Sequence, residues 1–231
     1  MAKSTSSAGV FSSEKIRTLT AVGVFTALSY ICCVLFHFKV SFLSFELKDA
    51  VMTIGAMFFG PVYGLAMSLI VSTIELITIS STGLYGYIMN ILSSVVFVCL
   101  GSFIYTRRRS MSSALLGMIL AVVAMTSVMI GANLLITPFY MNVTVADVKA
   151  LILPLLLPFN LTKAIFNAAL VFLLYKPVST ALKSSGFLKK EDNAVRVKYK
   201  PNPLTLAIPL VIAIAAMLFF FLYLQGSFEI A

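Results

Sequence analysis

The chain of 231 residues is 60% hydrophobic and only 11% charged, with a mean hydropathy of +1.04, whereas soluble domains carry roughly 25% charge, so the composition excludes a soluble protein. A spanning helix needs about 20 apolar residues, and seven would use about 140, which leaves room for short loops and none for an ATPase domain; no G-x-x-x-x-G-K-[ST] loop occurs either. The formal charge of +9, from 17 Lys and Arg against 8 Asp and Glu, is assigned to membrane topology and not to nucleic-acid binding.

Seven apolar segments follow one another. The first is Ile16–Phe36 and the second, short for a span, is Leu47–Phe59 with Lys48 and Asp49 at its start. Gly60-Pro61 breaks the chain before a third segment ending near Ile79. Ser80-Ser81-Thr82-Gly83 reads as a loop, and a fourth segment, Leu84–Tyr105, ends at the triplet Arg107-Arg108-Arg109. The fifth is Ala114–Phe139, closed by Pro138 and a polar loop, Tyr140–Lys149. The sixth is Leu151–Tyr175, with Pro154 and Pro158 near its start. A basic linker leads to a seventh run, Leu204–Leu224. The polar N-terminus lacks a signal-peptide cleavage site, so the first segment is expected to be retained.

The expected fold is therefore an all-α integral membrane protein. A cytoplasmic tail, residues 1–14, precedes a six-helix membrane domain, 15–182. A basic cytoplasmic linker, 183–203, then precedes an additional transmembrane helix, 204–231. With the N-terminus in the cytoplasm, thirteen of the seventeen Lys and Arg fall on cytoplasmic segments, leaving Lys39, Lys48, Lys149 and Lys163 elsewhere. Basic runs then act as topology determinants and lipid-headgroup contacts, and the C-terminus is extracellular.

Polar side chains are costly at membrane depth and face the bundle interior or a water-filled site. They recur here at helical spacing: Ser68, Ser72 and Glu75; Tyr87, Asn90 and Ser94; Thr126, Asn133 and Thr137; Asn160, Lys163 and Asn167. Ser68, Ser72, Ser94, Thr126 and Asn167 read as interhelical hydrogen-bonding groups. Lys163 has two readings, an ion pair with Glu75 or a donor to a ligand carbonyl or anion, with Asn160 one turn before it. Gly23-x-x-x-Ala27 gives a smooth helix face, either packed within the bundle or docking a partner. The segment His37–Phe45 is too apolar to lie in water; it plugs the bundle as core or closes as a lid over an apolar ligand.

Cys32, Cys33 and Cys99 lie in apolar runs and read as small core side chains. With His37 the lone histidine, no histidine-based metal cluster is expected. No H-E-x-x-H, G-x-S-x-G or paired-carboxylate pattern occurs, so no enzyme is expected.

Several short runs together resemble the S components of energy-coupling factor (ECF) vitamin transporters, and within them the riboflavin-specific type. They are Phe45-Glu46-Leu47-Lys48-Asp49, Phe59-Gly60-Pro61, Tyr87-Ile88-Met89-Asn90, Asn133-x-x-x-x-Pro138-x-Tyr140 and Pro158-Phe159-Asn160-Leu161-x-Lys163. The resemblance covers about residues 15–180. It implies a vitamin-binding subunit of the bacterial plasma membrane that works with a transmembrane coupling protein and two ATPases. It further implies polar contacts to riboflavin or a related flavin from Asn133, Asn160 and Lys163; Glu75 and Asn90, on the polar stripes, are also expected to bind the substrate. Phe42, Leu43 and Phe45 would close over the ligand, and Gly23 and Ala27 would dock the coupling protein. Riboflavin would be cargo, with no cofactor and no nucleic acid involved. The chain departs from the family in having Ser72 where a basic residue is usual, in lacking prolines in the first loop, and in the seventh helix. Alternatives are an S component for another vitamin, an autonomous secondary transporter, or a small membrane adaptor.

Overall fold

The computed structural model describes residues 13–187 and 203–223. The tail up to residue 12, linker residues 188–202 and residues 224–231 lie outside the described residues, and part of the charge-based topology falls there. The first segment forms α1 (Ser13–Leu35), and the apolar loop after it folds into a hairpin of β1 (Phe38–Val40) and β2 (Leu43–Phe45). Next come α2 (Lys48–Phe59), α3 (Pro61–Thr78), α4 (Gly83–Arg108) and α5 (Met111–Met141). A short α6 (Val145–Ala150) and a π-helical turn (Ile152–Leu156) lead into α7 (Leu157–Ser184), and α8 (Pro203–Tyr223) follows.

All seven apolar segments are helical where described, and among the described residues six helices are long and apolar enough to cross a membrane. The exception is α2. Its twelve residues rise only about 18 Å, short of a hydrocarbon core of about 30 Å. It is instead the centre of the bundle: ten of its twelve residues are buried, Lys48 and Asp49 among them, and α1, α3, α4 and α7 pack around it. Beyond α7, α8 packs on the outside of the bundle.

Breakers and caps set the boundaries. Gly60 takes φ +112°, in the region that favours glycine, and Pro61 opens α3 at the first helical position, where its missing N–H costs nothing. Arg109 ends α4 in the left-handed conformation, and Ser110 caps α5, its Oγ accepting from the Ser113 N–H at 3.1 Å. A Cβ on Gly117 would stand 2.8 Å from the Gly101 carbonyl oxygen, so bare backbones allow α4 and α5 to approach closely.

The β-hairpin departs from the expected all-α pattern, Pro138 lies inside α5 and does not close it, and two further elements differ from expectation. The polar loop Tyr140–Lys149 holds most of α6, opened by a capping box in which the Thr144 and Asp147 side chains bond each other's backbone N–H groups. The sixth helix continues through Pro177 to Ser184, nine residues past Tyr175. Near its start, Pro154 and Pro158 remove two backbone donors, and the Leu156 N–H reaches back five residues to the Leu151 carbonyl at 2.9 Å.

Aromatic packing fixes which ends adjoin. Phe45, Phe159 and Phe220 form one cluster at the hairpin end, where Tyr85 also meets Tyr140. At the other end the Tyr105 and Tyr175 hydroxyls hydrogen-bond, and Phe58 stacks on Tyr175 with ring centroids 4.9 Å apart.

Candidate ligand-binding site

The hairpin turns on two residues, Ser41 and Phe42, with Val40 and Leu43 paired across it. Val40, Leu43 and Phe45 are buried, so these three hairpin residues are core. Its tip is also the cover of a cavity, because Phe42, Leu43 and Ser44 line the space between the hairpin, α4, α5 and α7. The core reading thus holds for Val40, Leu43 and Phe45, while the tip residues Phe42, Leu43 and Ser44 lie over the cavity.

Besides the tyrosines, six polar side chains from three helices line this cavity: Asn90 and Ser93 of α4, Asn133 and Thr137 of α5, and Asn160 and Lys163 of α7. Met89, Met129, Ile136, Phe159 and the rings of Tyr85 and Tyr140 supply apolar wall. The void is about 70 Å³, against roughly 300–1,000 Å³ for small-molecule sites, so side chains must move to admit a ring system.

The hydrogen bonds show what each group has left to offer. Asn133 is fully buried; its Nδ2 donates to the Met129 carbonyl at 2.7 Å and its Oδ1 accepts from Thr137 at 2.9 Å. An amide has two donors and two acceptor lone pairs, so one of each stays available. Asn160 Nδ2 donates to the Leu156 carbonyl at 2.7 Å, and its Oδ1 has no partner among the described residues. Lys163 Nζ donates to the Ser44 carbonyl at 3.1 Å, tying α7 to the hairpin, and stands 3.7 Å from Glu46.

Lys163 therefore does not pair with Glu75. Glu75 binds Lys48 and accepts from Asn90 Nδ2 at 2.5 Å, so it lies behind Asn90 and does not line the cavity. Lys48 also lies 2.8 Å from Glu46, which makes Glu46–Lys48–Glu75 a buried charge row with Lys163 at its edge. Burial alone would raise the Glu46 carboxyl, but the Lys48 and Lys163 charges outweigh it and hold it below the usual carboxylate range. Phe45 does not line the cavity either; its ring packs on Phe159, Phe166 and Phe220.

Asn167 supports the site from behind. The first turn of α2 has no side-chain cap of its own, and Asn167 Oδ1 accepts the Ala50 N–H at 2.9 Å while its Nδ2 donates to the Glu46 carbonyl at 3.1 Å. Ser94 bonds Asp49 Oδ1 at 2.6 Å, and Ser68 bonds the Gly64 carbonyl of its own helix. Ser72 and Thr126 have no hydrogen-bond partner among the described residues.

Glu46 does not line the cavity, but it supports it by holding Lys48 and standing 3.7 Å from Lys163; helical spacing does not single it out. Its signal was the dense Glu46-x-Lys48-Asp49 run beside the apolar loop. Donor atoms of Cys33, His37 (the lone histidine) and Glu46 lie within 4.8 Å of one another. Burial lowers the His37 pKa, and the Lys48 ammonium already serves Glu46. On α1, Gly23 and Ala27 face outward; a Cβ on Gly23 would meet nothing within 4 Å, so this small face is not packed within the bundle.

Residues 17–175 match the family model of the substrate-specific component of ECF transporters. The chain belongs to that family. A curated relative, the riboflavin transporter RibU of Staphylococcus aureus (strain TCH60), is 26% identical over 179 residues, which span 74% of this chain and 94% of the relative. A solved S component of a bacterial ECF transporter matches with a TM-score of 0.62 and 24% identity, over 73% of this chain and 99% of that one, and shares the fold. This S component is thus a multi-pass membrane protein of a transport system, and its α8 lies beyond the residues that the family model matches.

Proposed function

We propose that this chain is the riboflavin-binding S component of an ATP-dependent ECF importer. The observation that carries the reading is the convergence of Asn90, Asn133, Asn160 and Lys163 on one apolar-walled cavity beneath the hairpin. An isoalloxazine is a flat apolar plate with a polar imide edge and a ribityl tail. A carboxamide offers one donor and one acceptor to an imide, and an ammonium donates to a carbonyl. Methionine and aromatic side chains suit the plate. The similarity to a riboflavin transporter supports the choice of ligand.

The Lys and Arg distribution supports a bacterial plasma-membrane orientation with the N-terminus in the cytoplasm and the cavity facing outward. Flavin then enters from outside as cargo, with Phe42 displaced at the hairpin tip. The chain does no chemistry on it and needs a coupling protein and two ATPases for release inside.

The test is a visible absorption spectrum of the detergent-purified protein from riboflavin-replete cells. A flavin band, with flavin freed on denaturation, is the expected result. A colourless protein that also leaves the fluorescence of added riboflavin unquenched would overturn the flavin assignment, and stabilisation by another vitamin would redirect it.

A further inference from the structure

A second cavity lies at the end of the bundle opposite the hairpin. The turn between α4 and α5, the last turns of α7 and the start of α8 enclose about 550 Å³, within the roughly 300–1,000 Å³ of ligand sites. Its wall is apolar, with Met57, Ala114, Val171 and Phe172. Its rim carries Arg109, Lys176 and Lys183, and no acidic side chain lines it among the described residues.

The backbone adds to this positive field. Ser110 takes two first-turn donors of α5, its Oγ accepting from Ser113 and its carbonyl from Ala114. The N–H groups of Met111 and Ser112 have no acceptor within the helix. Ser110 and Met111 line the cavity, so the positive end of a 31-residue helix opens into it.

We propose that this cavity binds an anionic phospholipid of the inner leaflet. Its phosphate sits among Arg109, Lys183 and the first turn of α5, and its upper acyl chain lies on the apolar wall. Charge complementarity and wall chemistry together select this occupant. A free phosphate leaves the apolar wall unmatched, and a neutral lipid leaves the rim unmatched. The connecting segment of this chain is a poor occupant, because residues 188–202 carry five Lys and Arg against Glu191 and Asp192. The arginine triplet assigns this end to the cytoplasmic leaflet, where basic pockets between membrane helices meet anionic headgroups.

The full chain in neutral detergent is titrated with dioleoylphosphatidylglycerol, dioleoylphosphatidylcholine or inorganic phosphate while its thermal midpoint is followed. Phosphatidylglycerol should raise the midpoint saturably, and the other two should not. The double variant Arg109→Asn/Lys183→Gln should bind phosphatidylglycerol about thirtyfold more weakly; asparagine tolerates the left-handed backbone at position 109. Lys183→Gln alone, on an exposed helix end, should weaken it by about a fifth of that factor. Arg108→Ala, outside the cavity lining, should leave it unchanged. Equal stabilisation by phosphatidylcholine would overturn the proposal, as would equal stabilisation by phosphate, which would mean a soluble-anion site. Equal weakening by Arg108→Ala would also overturn it, because the effect would then be bulk charge.

Discussion

Phe220 of α8 lies 4.5 Å, ring centroid to ring centroid, from Phe45 of β2. Phe220 is fully buried and also meets Phe159 at 6.0 Å, while the neighbouring Phe221 meets Phe38 of β1 at 6.5 Å. The helix beyond the family-matched residues is therefore attached to both strands of the hairpin that covers the ligand cavity. It supports the cover from behind while Phe42 is left at the cavity mouth.

Removing the Phe220 ring should loosen the hairpin first. In lipid such a contact draws on close packing more than on exclusion of water, and the lost ring leaves a void. Phe220→Ala should cost about 3 kcal/mol, and amide exchange should rise in residues 38–45 ahead of α4 and α5. Hydrogen exchange read by mass spectrometry checks this. Unchanged hairpin exchange would mean that α8 gives the hairpin no support.

Lys48 holds two buried carboxylates, Glu46 and Glu75. Breaking a buried pair by removing one partner is costly because a charge is left uncompensated. Lys48→Met should lower stability by about 3–5 kcal/mol, and Lys48→Met/Glu75→Gln should recover part of the loss. Thermal unfolding of both variants in detergent measures the difference. Equal loss in both would show that Glu75 is not the group left stranded.

Lys163 should behave differently, because Glu46 keeps Lys48 when Lys163 is removed. Lys163→Met gives up the bond to the Ser44 carbonyl and the approach to Glu46, a loss of about 1.5–3 kcal/mol for a charged donor and below the cost of removing Lys48. Flavin affinity should fall about tenfold or more, the worth of a hydrogen bond from a charged donor, as fluorescence quenching would show. A variant that unfolds and is rescued by Glu46→Gln would make the lysine structural.

These two lysines also mark what the sequence made legible. Segment boundaries were readable because Gly60-Pro61, Ser80–Gly83 and the arginine triplet interrupt apolar runs, and breakers act locally. The polar stripes were readable from helical spacing, and three of the stripes do reach one cavity. The pairing of Lys163 was not, because spacing places a residue on a face but does not say which helix lies opposite. Glu75 and Glu46 were both available, and only the turn of the hairpin brings Glu46 to α7. Asn167 likewise reads as glue, but its role as the missing cap of α2 depends on 117 residues of intervening fold. The Thr144-x-x-Asp147 cap is a local signal, carried by four consecutive positions inside a polar loop.

That cap gives a local prediction. The Thr144 side chain, and then its backbone N–H, hold the Asp147 carboxyl below the ordinary aspartate range. A depressed folded-state value means the contribution is full above the unfolded value and is lost as pH falls through the folded one. Thr144→Ala should speed amide exchange over 145–150 at neutral pH and leave the global thermal midpoint unchanged. In the parent protein the same segment should begin to fray only at strongly acidic pH.

The outward face of α1 gives the last prediction. Gly23 has open space around it, and Gly is the poorest helix former after Pro. Gly23→Leu should therefore leave the isolated S component as stable as the parent or up to about 1 kcal/mol more stable. If the small face formed by Gly23 and Ala27 receives the coupling protein, the added side chain prevents the close approach of two helices. Co-purification with the coupling protein should drop at least tenfold while flavin quenching is retained. Normal co-purification would move the docking surface elsewhere on the bundle. Loss of quenching together with docking would mean that the substitution disturbs the fold, which the open space around Gly23 argues against.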